Sequence, residues 1–169
     1  MPDAYYIDTC SLQWRYLNGA PSSFVDTLLD GVSNRVVTGE ITVLEWSSAL
    51  ASAYRRGDIN REAFKRNEVA LMTDIALNKL TVLPPDRRAV EKARYLVELV
   101  GVDFRLALLS GDAIQLVYAL GAAKTHAAPL PFITSDHRFA NAMRAVAFLK
   151  TYVSPFYLSP QTGSLTLYA

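Results

Sequence analysis

Short β-prone segments alternate with helical stretches along most of this sequence, and this alternation limits the folds open to it. The β-prone runs are residues 4–7, 35–38, 80–83 and 129–134. Strands separated by helices are typical of a parallel sheet covered on both faces, and 169 residues leave room for one such sheet. We therefore predict an α/β fold, a three-layer α/β/α domain whose central, mainly parallel sheet has about four or five short strands.

The remaining segments complete this outline. Residues 146–149 are predicted as the last strand of the sheet, and the prolines and the glycine that follow predict an extended tail. We divide the chain into a domain over residues 1–153 and a tail over residues 154–169 that packs on the domain or on a partner. A helical bundle is the poorer alternative, because residues 36–37 and 131–133 are too short and too β-prone for helices. The predicted helices span residues 12–17, 24–29, 41–54, 60–78, 88–100, 113–123 and 137–144.

Composition excludes several classes of protein. No uncharged apolar run is long enough to span a bilayer, no secretory signal opens the chain, and the single Cys10 cannot form an internal disulfide. We therefore expect a cytoplasmic protein with no membrane partner. The chain has 17 Lys and Arg against 16 Asp and Glu, so any affinity for nucleic acid must come from local patches. Two His and one Cys are too few for a Cys/His zinc cluster, and a metal here would need oxygen ligands.

Four carboxylates stand alone in apolar parts of the sequence: Asp8, Glu45, Asp112 and Asp136. Asp8 and Asp136 follow predicted strands, whereas Glu45 and Asp112 belong to helical stretches. Removing a carboxylate from water is costly unless it is hydrogen-bonded, paired or bound to a metal. If all four meet at one edge of the sheet, they form an all-oxygen, negatively charged pocket that suits Mg²⁺ or Mn²⁺.

Helix capping is the structural alternative for three of these four residues. The three Asp residues lie at predicted helix N-termini, where backbone N–H groups and the helix dipole favour a carboxylate by about 0.3–1 kcal/mol. Thr9 or Ser11 is predicted to cap the first helix. Glu45 lies several residues inside its helix, so capping does not explain it, although an Arg partner would.

The same residues carry a resemblance to a known family. Four motifs follow one another with similar order and spacing from residue 4 to about residue 150: YIDTCS (6–11), ITVLEW (41–46), GDAIQL (111–116) and FITSDHRF (132–139). In these motifs the chain resembles the PIN-domain nucleases, most closely the VapC-like toxins of type II toxin–antitoxin pairs.

The resemblance implies a metal-dependent endoribonuclease in which the four isolated carboxylates are catalytic and hold Mg²⁺ or Mn²⁺, directly or through water. It gives Thr9 and Thr134 the role of polar helpers beside them. Members of the family usually form homodimers and are inhibited by a small antitoxin. The implied partners are therefore an RNA substrate, a second copy of the chain and an antitoxin protein.

Other residues leave alternatives open. Arg55 and Arg56 are candidate RNA contacts, within a basic stretch that could equally be a solvated face. His126 and His137 would suit a metal-free acid–base hydrolase, and Cys10 is predicted to be a small buried thiol. Aromatic side chains would either stack on bases or pack in the core: Tyr5, Tyr6, Trp14, Tyr16 and Trp46. The alternative function is a non-catalytic PIN-like module that binds RNA or a protein partner.

Overall fold

A six-stranded sheet organises the computed structural model, which describes residues 4–17, 19–84, 86–125 and 129–167. The strands are β1 (Ala4–Ile7), β2 (Arg35–Gly39), β3 (Thr81–Leu83), β4 (Leu130–Thr134), β5 (Val153–Leu158) and β6 (Leu165–Leu167). They lie in the order β3-β2-β1-β4-β5-β6; the first five are parallel, and β6 runs antiparallel to β5. The predicted three-layer α/β/α fold with a mainly parallel sheet is confirmed, with six strands instead of four or five.

Helices cover both faces of this sheet. They are α1 (Thr9–Leu12), α2 (Ser22–Asp30), α3 (Glu40–Arg56), α4 (Arg61–Ala76), α5 (Ala89–Glu98), α6 (Ser110–Ala123) and α7 (His137–Ala145). A 3-10 turn over Gln13–Arg15 extends α1, and a π-helical turn over Leu99–Asp103 extends α5. None of the helices within the described ranges is long and apolar enough to cross a membrane.

Alternate residues of the central strands supply two separate hydrophobic cores. Tyr6 and Phe132 are fully buried, with ring centroids 4.9 Å apart, and they pack toward α5, α6 and α7. Ile7 and Ile133 join the other core, together with residues of α1, α2, α3 and α4. A shift of register by one residue would exchange these faces, so the two cores fix where each strand ends.

The C-terminal region differs from its prediction. The predicted strand over residues 146–149 is wrong: a 3-10 helix spans Ala147–Thr151, and the N–H of Leu149 donates to the carbonyl of Val146 at 2.9 Å. A short apolar run does not reveal its own period, so a strand and a single helical turn look alike in sequence. The last strands come instead from the segment predicted as a tail, because β5 pairs with β4 and β6 with β5.

Candidate active site

Asp8 lies at the carboxyl end of β1, in the middle of the sheet. It is 4% exposed, and its backbone N–H donates to the carbonyl of Ile133 in β4 at 3.2 Å. Its carboxylate caps α1 by accepting the N–H of Ser11 at 2.9 Å, so the prediction of Thr9 or Ser11 as the cap is wrong. This cap fixes the carboxylate where the chain turns from strand to helix.

Asp8 is held by hydrogen bonds in a buried setting. The Cys10 thiol donates to both carboxylate oxygens, at 3.1 and 3.0 Å. Burial raises the pKa of Asp8 to about 6, and hydrogen bonds from Thr134, Cys10 and Ser11 offset part of that effect. Cys10 is partly exposed rather than fully buried, and burial and the Asp8 charge raise the pKa of its thiol well above the usual value. Cys10 is therefore a protonated donor to Asp8 at neutral pH and not a reactive thiolate.

Asp136 lies just past the end of β4, the strand beside β1. Its carboxylate caps α7 by accepting the N–H groups of Arg138 at 2.8 Å and Phe139 at 3.2 Å, and it also accepts the Arg138 guanidinium at 3.0 Å. Burial raises the pKa of Asp136, but the hydrogen bonds from Arg138 and the backbone outweigh that effect and leave the pKa below its ordinary value. Because β1 and β4 are parallel neighbours, Asp8 and Asp136 lie at the same edge of the sheet.

Asp112 brings a third carboxylate to this edge from the first turn of α6. Its pKa is raised to about 6, first by burial and then by the negative charges of Asp136, Asp8 and Glu45. The other three carboxylates are therefore close enough to act on Asp112 electrostatically. The structure gathers the four isolated acids of the sequence in one region.

Glu45 lies in the second turn of α3 and is half-buried. The Thr9 hydroxyl donates to its Oε2, and the Gln115 amide donates to the same oxygen at 2.9 Å. A Cβ added at Gly111 would lie 2.5 Å from its Oε1, so this glycine lets α6 approach the carboxylate closely. No Arg or Lys in the described part of the chain lies within ion-pair distance of Glu45, so an Arg partner does not explain its position.

Gln115 is a residue of this site that the sequence analysis missed. It is 2% exposed, and its Nε2 lies 3.0 Å from the Thr9 hydroxyl and 2.9 Å from the Thr42 hydroxyl, besides its contact with Glu45. Its Oε1 accepts the hydroxyl of buried Tyr6 at 2.6 Å. The only signal in the sequence is that it is the one amide in a strongly apolar helix. Through this network the core holds the Glu45 carboxylate in place.

Both predicted polar helpers contact residues that bear the carboxylates. Thr134 is fully buried, its Oγ1 accepts the backbone N–H of Asp136 at 3.0 Å, and it lies 3.5 Å from the Cys10 sulfur. Thr9 donates to Glu45. Thr9 thus restrains the Glu45 carboxylate, and Thr134 restrains the backbone at Asp136.

The predicted RNA contacts lie apart from the carboxylates. Arg55 and Arg56 follow Glu45 by ten and eleven residues on α3, about 15 Å along the helix axis. Arg56 forms an exposed ion pair with Asp58 at 2.7 Å, whereas Arg55 donates to the Ser52 hydroxyl at 3.0 Å.

The remaining candidates from the sequence are the two histidines and the aromatic residues. Nδ1 of His137 lies 3.0 Å from the Asn141 amide, on the exposed first turn of α7. His126 lies outside the described residues. Tyr6 and Trp46 are buried in the two cores, where they cannot stack on bases.

The chemistry of the donor set suits a hard divalent cation, because all four groups are carboxylates and two have pKa values raised by burial. Among the described residues, however, no group of three or more His, Cys, Asp or Glu side chains is arranged to hold a metal ion. The four carboxylates thus share an electrostatic environment without a ready coordination geometry. Two of the carboxylates already accept side-chain hydrogen bonds, Glu45 from Thr9 and Asp136 from Arg138.

Comparison with known proteins places the fold. No protein-family model matches the sequence, and a search of curated proteins finds no match. The chain is similar to a structure of VapBC2 from Rickettsia felis bound to a DNA fragment from their promoter, with a TM-score of 0.56 and 12% identity over 82% of this chain and 92% of the other. It is also similar to VapBC-5 from Mycobacterium tuberculosis, a member of the VapBC family of toxin–antitoxin systems, with a TM-score of 0.52 and 18% identity over 83% and 90%. At these identities the similarity is one of fold, and that fold is PIN-like.

Proposed function

We propose that this chain is a Mg²⁺- or Mn²⁺-dependent endoribonuclease and the toxin of a toxin–antitoxin pair that acts in the cytoplasm. The observation that carries the proposal is the meeting of four carboxylates at the carboxyl edge of the parallel sheet, where burial and then the charges of the other three raise the pKa of Asp112. Ligands of open α/β sheets bind at this edge. The similarity of fold to VapBC proteins supports the same function and supports an antitoxin partner.

Helix capping accounts for only part of this arrangement. Asp8 and Asp136 do cap helices, but Glu45 lies inside α3, and Asp112 is surrounded by like charges. Gathering negative charge in a partly buried place opposes stability, and such arrangements are concentrated at functional sites. A bound cation would offset the repulsion.

In the proposed reaction a cation held by the four carboxylates would supply charge that activates water and stabilises the leaving oxygen at phosphorus. The chain itself orients the ligands. Gln115 and Thr9 fix Oε2 of Glu45, and Thr134 fixes the backbone at Asp136. Arg138, which donates to Asp136, would be a cation at the site for an RNA phosphate, and a basic antitoxin side chain would inhibit the chain by entering the acidic pocket.

Cleavage of a mixed pool of structured RNA by the purified chain tests the proposal. We expect metal-dependent cutting that is abolished by EDTA and reduced at least about a hundredfold by Asp112→Asn, because a carboxylate that holds charge at the reacting centre is lost. Asp103→Asn, an exposed Asp in the π-helical turn, is the matched control and should cut as the wild type does. Cutting in excess EDTA would rule out the metal mechanism.

A non-catalytic PIN-like module for RNA or a protein partner is the second candidate. It is favoured by one observation, the lack of a ready coordination geometry among the described residues. Stable RNA binding without cutting in either metal would establish this candidate. A homodimer is also part of the proposal, and sedimentation of the free chain tests it independently of activity.

A further inference from the structure

A second candidate binding place lies at the far end of α3. Helices α3 and α4 pack against each other, and near the turn between them they enclose a cleft of about 440 Å³. This volume falls in the range of small-molecule sites, roughly 300–1,000 Å³. The side chains that matter in its lining are Tyr54, Arg55, Arg61, Phe64, Lys65 and Glu68.

The cleft concentrates positive charge on a chain that is nearly neutral. Arg55, Arg61 and Lys65 face a single acid of the lining, Glu68, although the whole chain has a net charge of only +1. Within the described residues, no Asp or Glu lies within ion-pair distance of Arg61 or Lys65. These cations are therefore available to an anionic ligand.

An aromatic surface lies among these cations. Tyr54 is 47% exposed, and the ring of half-buried Phe64 supports it at 6.0 Å with an interplanar angle of 64°. An exposed ring held in place beside several cations is the arrangement by which single-stranded nucleic acids are bound, with bases on the ring and phosphates on the charges.

We propose that this cleft binds single-stranded RNA, with a base stacked on Tyr54 and neighbouring phosphates on Arg61, Lys65 and Arg55. The choice of RNA rests on the proposed function, but the binding itself needs neither metal nor catalysis. Tyr54 follows Glu45 by nine residues, about 14 Å along α3 and about half a turn around it, so the cleft is a binding place separate from the carboxylates. Of the two Arg residues predicted as RNA contacts, Arg55 belongs to this surface and the paired Arg56 does not.

Binding of fluorescein-labelled oligoadenylate and oligouridylate, about a dozen nucleotides long, to the full chain in EDTA tests the proposal. Tyr54→Leu should weaken binding about tenfold, because base stacking is lost. The salt dependence of binding should not change, because the substitution removes no charge. The double variant Arg61→Gln, Lys65→Gln should lower the slope of log affinity against log salt by about 1.4, because two phosphate contacts disappear. A duplex of the same sequence should bind more weakly and should not respond to Tyr54→Leu.

Arg66→Gln is the matched control, because Arg66 is exposed on α4 but lies about 100° around the helix from Lys65. It should bind RNA as the wild type does. Equal weakening by the control and the double variant, or unchanged affinity of Tyr54→Leu, would overturn the proposal. Displacement of the RNA by oligoglutamate at equal charge would also overturn it, and would assign the cleft to an acidic protein partner.

Photocrosslinking gives a measurement that does not depend on variants. RNA that carries 4-thiouridine should crosslink to the peptide that contains Tyr54, and crosslinks confined to other peptides would contradict the proposal. The two proposals fail separately. If RNA binds in the cleft but is not cleaved, the nuclease proposal fails and the cleft proposal stands. If RNA is cleaved but the cleft variants bind it as the wild type does, the cleft proposal fails and the nuclease proposal stands.

Discussion

Asp112 is a carboxyl group whose charged form the folded chain disfavours. Its pKa is about 6 in the folded chain, against an ordinary value of 3.8. Between these two values the folded chain binds more protons than the unfolded chain, so this group lowers the stability as the pH rises from 3.8 to about 6. Above a pH of about 6 this loss of stability is complete, and below pH 3.8 it is absent.

We therefore predict that Asp112→Asn stabilises the chain near neutral pH by about 1 kcal/mol, since the residue is partly exposed and solvent screens the effect. The gain should shrink as the pH falls through about 6 toward 3.8. Urea unfolding of the variant and the wild type across this range measures it. Asp103→Asn should show no such trend, and a gain in Asp112→Asn that is independent of pH would contradict the assigned cause.

Gln115 is expected to link the core to Glu45 through Tyr6. Gln115→Leu removes the amide oxygen that accepts the buried Tyr6 hydroxyl and one of the two donors to Oε2 of Glu45, so we expect a loss of about 1–3 kcal/mol in unfolding free energy. Tyr6→Phe combined with Gln115→Leu should cost less than the sum of the single changes, with a coupling of about 0.5 kcal/mol or more. Additive losses in this double-mutant cycle would show that the two side chains act independently.

The sequence identifies the acids of this region but not the residues that hold them. A lone charge in an apolar stretch is visible without a structure, which is why the carboxylates could be named. Gln115 has no charge, and its four polar neighbours come from distant segments that only the folded sheet brings together. The same applies to Arg15, whose partners lie 11 to 59 residues away.

At the level of secondary structure, Arg15 joins three elements on one face of the sheet. From the turn after α1 it reaches Asp26 at 2.9 Å and Asp30 at 2.8 Å on α2, and Asp74 at 3.0 Å on α4. The Asp74 side chain is only 8% exposed, and the Tyr16 hydroxyl also donates to it at 3.1 Å. Hydrogen bonds from Arg15 and then Lys79 lower the pKa of Asp30 to about 2.

Arg15→Gln should destabilise the chain by about 2–4 kcal/mol, because it leaves the buried Asp74 carboxylate without its main counter-charge. Thermal and urea unfolding at neutral pH measure the loss. Arg88→Gln is the matched control: Arg88 forms an exposed ion pair with Glu91, so its loss should leave the unfolding free energy almost unchanged. Similar losses in the two variants would mean that the three-element contact adds no stability.

Secondary structure itself was predictable where composition and length agree. The strand over residues 4–7 is recognisable by its β-branched and aromatic residues. The helix over residues 41–54 is recognisable because its apolar residues recur at helical spacing over a long stretch. The 3-10 helix over Ala147–Thr151 does not, because four apolar residues satisfy either pattern. Only the pairing of β5 with β4 decides which segment becomes the strand.

On the scale of the whole molecule, the last strands connect the C-terminal end to the start of α2. In the turn between β5 and β6, Gly163 has a φ of 67°, and its N–H donates to the carbonyl of Ser159 at 2.8 Å. A Cβ added to Gly163 would overlap the carbonyl oxygen of Ala20 and approach Cα of Pro21 to 3.3 Å. The glycine thus permits both the turn and its close contact with the segment that leads into α2.

Gly57 separates these two roles, because it also has a positive φ, 80°, but an added Cβ there would meet nothing within 4 Å. Gly57→Ala should therefore cost only the conformational strain, about 1–2 kcal/mol. Gly163→Ala should cost that strain and the overlap with Ala20, about 2–4 kcal/mol in total. Urea unfolding of both variants measures the difference, and hydrogen exchange should show faster opening in α2 for Gly163→Ala alone. If the two variants lost the same unfolding free energy, backbone strain at the turn would be the whole effect of Gly163→Ala. The C-terminal strands would then stabilise the edge of the sheet without holding α2.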